Sequence, residues 1–432
     1  MAHYEDEMKQ RRQRREAQRQ KQLQEQKRMK LALIAAAVVL VLGGFGIWKL
    51  AKNPVEVKVP PKETRPAATA PKETEAPAPT QRSTTTTIHL KAAGDLNITN
   101  ASVDAGVVGG GFNYTRAFMD VASILADADL TVMNFEGTLS GEPYGTGTRS
   151  APPEMLEGLR NAGVDMLQMA NSCSIYNGLI GLTTSLQRVR SSGIMPLGAF
   201  QSPAEFHQTK GYSIAQIHGV KVAFVAFTKG VGGMGMPSGN EDCVNLLYTD
   251  YATTYNDIDK EGITAILKSV AAEKPDITVA LLHWGSEYND VISKTQEDIV
   301  SLMQKQGVDI IFGTHPHLLQ KVEFDKTAGT LVAYSLGDFF GDAVQAGTNY
   351  SIILDVEITK DSEAGTTKVT DFSYTPIYTL TNAEAADGKR RVVRIDSAME
   401  AYTNNYVDKI STTAYNNMAY ALTRIEARVK GE

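Results

Sequence analysis

The sequence predicts a layered α/β domain with a mixed sheet system, carried behind one N-terminal transmembrane helix and a disordered linker. Three observations point there. From Ile88 onward, short apolar runs alternate with amphipathic stretches, as strands and helices do in a layered α/β domain. Beyond residue 330 the strand-like runs follow one another without helices between them, which suggests antiparallel pairing. An uncharged run, Leu31–Trp48, stands alone near the start.

The elements follow in order. Residues 1–30 hold ten Lys or Arg against five Asp or Glu, so the net charge of -6 leaves about -11 on everything after them. An acidic bulk speaks against nucleic acid as a partner, since sequence-independent binding runs on Lys and Arg neutralising phosphates. The run LALIAAAVVLVLGGFGIW nearly spans a hydrocarbon core of ~30 Å at ~1.5 Å per residue. With the basic segment before it, residues 31–50 read as a single-pass anchor, the N-terminus cytoplasmic and the rest of the chain extracellular. A cleaved signal peptide is the alternative, but the charged lead-in is long and no A-x-A site closely follows the apolar run. Residues 51–87 are rich in Pro, Thr, Ala, Glu and Lys and lack aromatics, so they read as a linker that cannot bury enough apolar area to fold. In polyproline geometry, at ~3 Å per residue, it could reach up to ~100 Å from the membrane.

At 42% hydrophobic and 21% charged residues, the chain can build a sizeable core. Residues 88–380 read as the main domain and 381–432 as a C-terminal extension with a helix. Strands are expected at 88–93, 130–135, 164–170, 221–228, 277–282, 308–312, 332–335, 351–357 and 369–374. Helices are expected at 153–162, 179–191, 257–272, 293–306 and 412–429. The Gly-rich run 106–111 lacks the Lys-Ser/Thr of a phosphate loop and reads as a flexible loop. Cys173 and Cys243 are too few for a disulfide framework, and a single bridge between them stays open.

Candidate site residues recur just after strands. Asp95 follows the first, Glu136 the second, Asn171-Ser172-Cys173 the third, His283 follows ITVALL, and His315 and His317 follow VDIIFG. Ligands in open α/β sheets bind outside the carboxyl ends of strands, so these residues can converge. Oxygen and imidazole donors suit Zn, Mn or Fe, and a pair of such ions would activate water and clamp a phosphoester. Taken singly, Asp95 and Glu136 also fit ordinary turn residues, and His283 a satisfied core histidine.

The stretch from Leu90 to Phe340 resembles the CapA-like capsule synthesis family, the poly-γ-glutamate biosynthesis proteins. The segments that carry the resemblance are AAGDLN at 92–97, MNFEGTLS at 133–140, RSAPPEMLEGLRNAGVDMLQMAN at 149–171, LLHWGSEYND at 281–290, GVDIIFGTHPHLLQKVE at 307–323 and YSLGDFF at 334–340. The resemblance implies a four-layer α/β/β/α metallophosphatase-like sandwich. It also implies catalytic and metal-site roles for Asp95, Glu136, His283, His315 and His317, with Asn171 a further metal ligand. The cofactor would be one or more divalent metal ions. The partners would be the membrane, an envelope or capsule polymer, and capsule synthase or export subunits.

Where the family shows Asn-Asn-His and then Asp before Gly, this chain has Asn171, Ser172 and Cys173, then Asn177 before Gly178. The missing His is the group expected to protonate the leaving oxygen. Asp338 stands where the family has Asn. Two functional classes follow. One is a surface metalloenzyme acting on a phosphate or acyl linkage; the other is a non-catalytic, polymer-binding component of a capsule-assembly machine. A plain adhesin ranks behind both, because the chain lacks repeats.

Overall fold

The computed structural model describes residues 85–406 and 410–432. The basic segment, the expected membrane span and residues 51–84 lie outside them. Among the described residues no helix is long and apolar enough to cross a membrane.

The first half of the domain runs β1 (Thr85–Asn97), α1 (Asn100–Asp104), β2 (Val107–Val108), β3 (Gly111–Phe112), α2 (Thr115–Ala126), β4 (Leu130–Glu136), α3 (Glu154–Asn161), β5 (Met166–Gln168), α4 (Gly178–Ser191) and β6 (Met195–Leu197). The second half begins with α5 (Pro203–Thr209), β7 (Tyr212–Ile217), β8 (Val220–Thr228), α6 (Lys260–Ala272), β9 (Ile277–His283), α7 (Lys294–Lys305) and β10 (Ile310–Thr314). It ends with β11 (Val322–Asp325), β12 (Thr330–Ala333), β13 (Asp338–Phe340), β14 (Tyr350–Asp361), β15 (Thr366–Leu380), β16 (Arg391–Arg394), α8 (Ile395–Thr403) and α9 (Thr412–Lys430).

Two sheets stack. The first has the order β16-β15-β14-β1-β4-β5-β6, with β13 also paired to β1; the second has the order β11-β12-β10-β9-β8-β7. Strand alternation sorts side chains into layers. Val132, Phe224, Val279 and Phe312 fill the space between the sheets. Their neighbours Met133 and Phe135 face out onto Phe118, Leu159 and Leu186 of α2, α3 and α4. On the far side Ala280 and Ile311 face Ile263 and Leu267 of α6 and Ile299 and Met303 of α7. The expected four-layer α/β/β/α order is therefore the observed one. Residues 381–432 supply β16 and α9; the stripe Ala414, Met418, Ala421, Ile425 and Val429 of α9 enters the inter-sheet core. Each large apolar side chain buried there stabilises the fold by ~1.5–3 kcal/mol.

Several boundaries differ from expectation, each for a tertiary reason. β1 begins at Thr85, inside the stretch read as linker, because Thr85–Thr87 pair with Thr359–Asp361. It also runs past Gly94 to Asn97, because β4 pairs alongside it through Glu136 with a register shift near Asp95. The third strand shortens to Met166–Gln168, the extent of its pairing with β4 and β6. The Gly-rich run forms the β2–β3 hairpin, with Gly109 and Gly110 at φ +47° and +92° supplying a turn that other residues rarely adopt. Both cysteines are buried and free.

Four parallel strands start the same way. Asp129, Asp165, Asp276 and Asp309 each precede one, before β4, β5, β9 and β10. Each donates its backbone N–H to a carbonyl on the neighbouring strand: His89 (3.0 Å), Thr131 (3.0 Å), Lys221 (2.7 Å) and Thr278 (2.9 Å) respectively. Each carboxylate then accepts the N–H of that same residue, at 2.7, 2.8, 2.7 and 2.8 Å. This two-bond pin sets the register of each strand, and with it which face is buried.

The pins differ in charge balance. Asp129 meets His218 and Asp276 meets Lys360, whereas burial pushes the Asp309 carboxyl up to about 6. That value lies above the ordinary 3.8, so the stability Asp309 contributes is full below about pH 4 and is lost as pH rises through about 6. Asp309→Asn keeps an acceptor for Thr278 without the buried charge. Urea unfolding across that range is expected to show the variant gaining on the wild type by up to about 3 kcal/mol as pH rises. A pH-independent difference would contradict this account of the pin.

Candidate metal centre

The sheets deliver their functional residues at strand ends. Asp95 sits near the end of β1, Glu136 ends β4, His283 ends β9, and His315 and His317 follow β10 directly. Asp95 pairs in register with Asp338 of β13. That closeness needs Gly94: a Cβ there would lie 1.8 Å from the Gly337 carbonyl oxygen, which accepts the Asp95 N–H at 2.9 Å. Gly313 does the same for β10, where a Cβ would lie 2.0 Å from the Tyr334 carbonyl oxygen. After β10 the chain turns through His315 (φ +92°) and His317 (φ +58°) on either side of Pro316. Left-handed backbone at a non-glycine residue costs ~1–3 kcal/mol, and here it aims two rings into one pocket.

The five residues expected to converge do so. His283 and His315 have ring centroids 4.6 Å apart, and His315 and His317 are 6.2 Å apart. Glu136 lies between histidines, with Oε1 3.5 Å from His283 Nε2 and Oε2 3.7 Å from His317 Nε2. Asp95, wholly buried, has its two oxygens 3.9 Å from His283 Nδ1 and 3.8 Å from His317 Nδ1. Donor atoms of Glu136, His315 and His317, of Asp95, Glu136 and His283, and of Asp95, His317 and Asp338 form three overlapping groups, each within 4.8 Å.

A second ring of residues orients this cluster. His317 Nδ1 donates to Asp338 Oδ1 at 2.7 Å, which leaves Nε2 toward Glu136. His283 Nδ1 meets Thr314 Oγ1 at 3.1 Å, and its Nε2 meets Ser172 Oγ at 3.0 Å. Asn134 Nδ2 donates to Asp95 Oδ1 at 2.5 Å, and the His315 N–H donates to Oδ2 at 3.0 Å. Such outer partners fix tautomers and ring planes of ligating histidines.

Asn171 stands differently from its neighbour. Its amide nitrogen donates to Asn134 Oδ1 (3.1 Å) and the Phe135 carbonyl (2.7 Å), and its oxygen accepts the Cys173 N–H (3.0 Å). Ser172, rather than Asn171, is the residue of this loop that touches a cluster histidine. Asn134 and Thr314 are no part of the sequence expectation, and Asp338 enters it only as a departure from the family's Asn. Asn134 carried a signal, since it sits two residues before Glu136 on the same strand. Tyr288 stacks on His317 at 5.4 Å, while Tyr144 packs edge-on against Phe112.

The electrostatics are those of charges taken out of water. Burial, then the Glu136 charge, raises the Asp95 carboxyl. Burial also pushes Glu136 up, but His283 and His317 outweigh it and hold it below the usual carboxylate range. Burial lifts Asp338 to about 7 even though His317 pulls the other way. Burial disfavours charge on both outer histidines. In His317 the Asp338 and Glu136 carboxylates override it and raise the imidazole, whereas His315 beside His283 is driven well down. Burial and Glu136 also push the Cys173 thiol far up, so Cys173 is no thiolate ligand for a soft metal.

A divalent cation fits this site. Glu136 Oε2 and His315 Nδ1 are buried without a hydrogen-bond partner among the described residues, and orphaned buried groups of this kind call for an unseen partner. The donors are carboxylate and imidazole, the set that suits Zn, Mn or Fe. Beside the cluster lies a cavity of about 330 Å³ lined by Ser172, Lys229, Tyr255, Glu287 and His315, open to a substrate.

Residues 89–343, more than half of the chain, match the family model described as Bacterial capsule synthesis protein PGA_cap. The chain is similar to the PGA biosynthesis protein CapA of Bacillus subtilis (strain 168), with 27% identity over 268 residues, 60% of this chain and 64% of that protein. It is also similar to the Capsule biosynthesis protein CapA of Bacillus anthracis, with 25% identity over 311 residues, 69% of this chain and 70% of that one. The chain thus spans just under two thirds of the Bacillus subtilis relative. Among solved structures it is similar to a putative 5'-nucleotidase from Staphylococcus aureus, with TM-score 0.45 and 14% identity over 67% of this chain and 54% of that one. A second is the calcineurin-like phosphoesterase YfkN from Bacillus subtilis, with TM-score 0.39 and 15% identity over 78% of this chain and 99% of that one.

Asp338 provides a direct test of the second ring. Asp338→Ala frees the His317 ring and is expected to weaken Mn²⁺ or Zn²⁺ binding by about 10–100-fold in a calorimetric titration, with Asp338→Asn in between. Unchanged affinity in both variants would show that Asp338 does not position His317.

Proposed function

We propose that this chain, which belongs to the bacterial capsule synthesis protein PGA_cap family, is a metal-dependent hydrolase or transferase in capsule or poly-γ-glutamate synthesis or export. The observation that carries this is the pair of orphaned donors, Glu136 Oε2 and His315 Nδ1, inside a buried ring of Asp95, His283, His317 and Asp338. Divalent ions bound there would supply Lewis acidity and an activated water. The chain's own residues do the rest. Asp338 holds the His317 ring through Nδ1, Thr314 orients the His283 ring, Asn134 fixes Asp95, and Trp284, which follows His283, packs into the helix-side core with Nε1 donating to the Tyr334 carbonyl at 2.8 Å. Lys229, held over the Tyr255 ring at 4.5 Å, places a cation in the cavity beside His315, where an anionic substrate group would sit. The run at residues 31–50 would anchor the chain as a single-pass protein with this domain on the extracellular face, near the envelope polymer and its synthase or export subunits.

Cys173 favours a second reading. Its thiol is buried and strongly resists ionisation, and it occupies the position where a proton-donating histidine is expected. A site that holds metal but lacks a proton donor would bind or present the polymer without cutting it.

The two readings separate in one comparison. Ser172→Asn with Cys173→His is expected to raise turnover of an activated phosphodiester at least about tenfold, since a general acid contributes ~10²–10⁴-fold. The rates are measured on metal-analysed proteins with matching melting curves. Brisk turnover by the natural chain, unaffected by Cys173→Ala, would contradict the missing-donor account. Metal in both proteins and turnover in neither would favour the binding reading.

A further inference from the structure

A polar trough lies beside the metal centre rather than in it, and residues beyond the family-matched segment build most of it. A cavity of about 390 Å³ runs between α9 and the loops that follow His317 and Gly341. The apolar stripe of α9 faces the core; Tyr420, Arg424 and Arg428, spaced four residues apart, line the trough from one side of the helix. Asn349 and Asp290 face them. A second cavity of about 270 Å³ continues from it and shares Asp290 and Arg428.

Arg428 is paired with Asp290. Arg424, only partly exposed, has no ion-pair or hydrogen-bond partner among the described residues. A guanidinium presents a planar fork that matches a carboxylate, and Arg428 already holds the Asp290 carboxylate in the same trough. The neighbouring Asp290 charge favours singly charged groups over phosphate dianions. Two joined cavities suit an extended chain more than a small molecule. The trough also abuts the metal centre: Leu318 in its wall follows His317, and Asp290 lies two residues from Tyr288, which stacks on that histidine.

We propose that this trough is a binding track for a carboxylate-bearing polymer, seated on Arg424 and led along α9 toward the metal centre. The direction of travel rests on the proposed function; the binding itself does not. The test titrates the full-length chain with a short oligo-glutamate at low salt, with and without chelator, and with polyphosphate for comparison. The wild type is expected to bind oligo-glutamate, and Arg424→Ala to weaken it about tenfold, the scale of one charge-assisted hydrogen bond. Arg424→Lys should keep part of the affinity. Lys268→Ala, on the exposed face of α6, should keep all of it, with every variant melting like the wild type. No binding by the wild type, an unchanged Arg424→Ala or an equal loss in Lys268→Ala overturns the track. Tighter binding of polyphosphate overturns its carboxylate class, and loss on chelation overturns its separation from the metal centre. Oligo-glutamate binding by a natural chain that takes up neither Mn²⁺ nor Zn²⁺ would leave the track standing and overturn only the proposed metal-dependent function.

Discussion

Taking three carboxylates and three imidazoles out of water into one pocket is the constraint on which the rest of this structure depends. An isolated buried charge is costly, and like charges a few ångströms apart raise that cost. Asp95, Glu136 and Asp338 are all under 5% exposed, and of the imidazoles among them His317 is raised while His315 is driven toward neutrality. The hydrogen bonds satisfy most of these groups but leave one oxygen of Glu136 and one nitrogen of His315 without a partner. A cation satisfies both and screens the carboxylates from one another. The second ring of Asn134, Thr314, Ser172 and Asp338 then makes sense as a frame for that cation's ligands.

The fold is arranged to meet this demand. Parallel strands from both sheets end at the same place, their register set by the four aspartate pins. Gly94 and Gly313 let backbones approach more closely than any side chain would allow, and the left-handed turns at His315 and His317 are held by the surrounding packing. On the opposite side of the same loops, α9 closes the inter-sheet core with its apolar stripe and turns its basic edge to solvent. The same helix that stabilises the sandwich therefore sets the chemistry of the surface beside the site.

Much of this was legible in the sequence. Buried-strand runs such as ITVALL and VDIIF keep their character in isolation, and the polar residues right after them mark strand ends whatever the tertiary fold. Asp276 and Asp309 at the heads of these runs carry no expectation of their own, because their role as pins needs the neighbouring strand. What could not be read depends on distant partners. Asp338 joins the site only because β13 docks on β1, some 240 residues earlier in the chain. The edge strands β7 and β16 have weak alternation and exist through their neighbours. Helix α2 is the exception: no helix is expected there, although Ala117, Phe118, Val121 and Leu125 spell an amphipathic stripe.

The central claim is that the buried cluster holds divalent cation. Crystals grown with Mn²⁺ and measured on both sides of the manganese absorption edge test it most directly. The account predicts an anomalous peak in the pocket, within ~2.0–2.3 Å of Glu136 and of at least one of His283, His315 and His317. A pocket without such a peak at saturating Mn²⁺, with Glu136 and His315 closing onto each other or onto water, would contradict it.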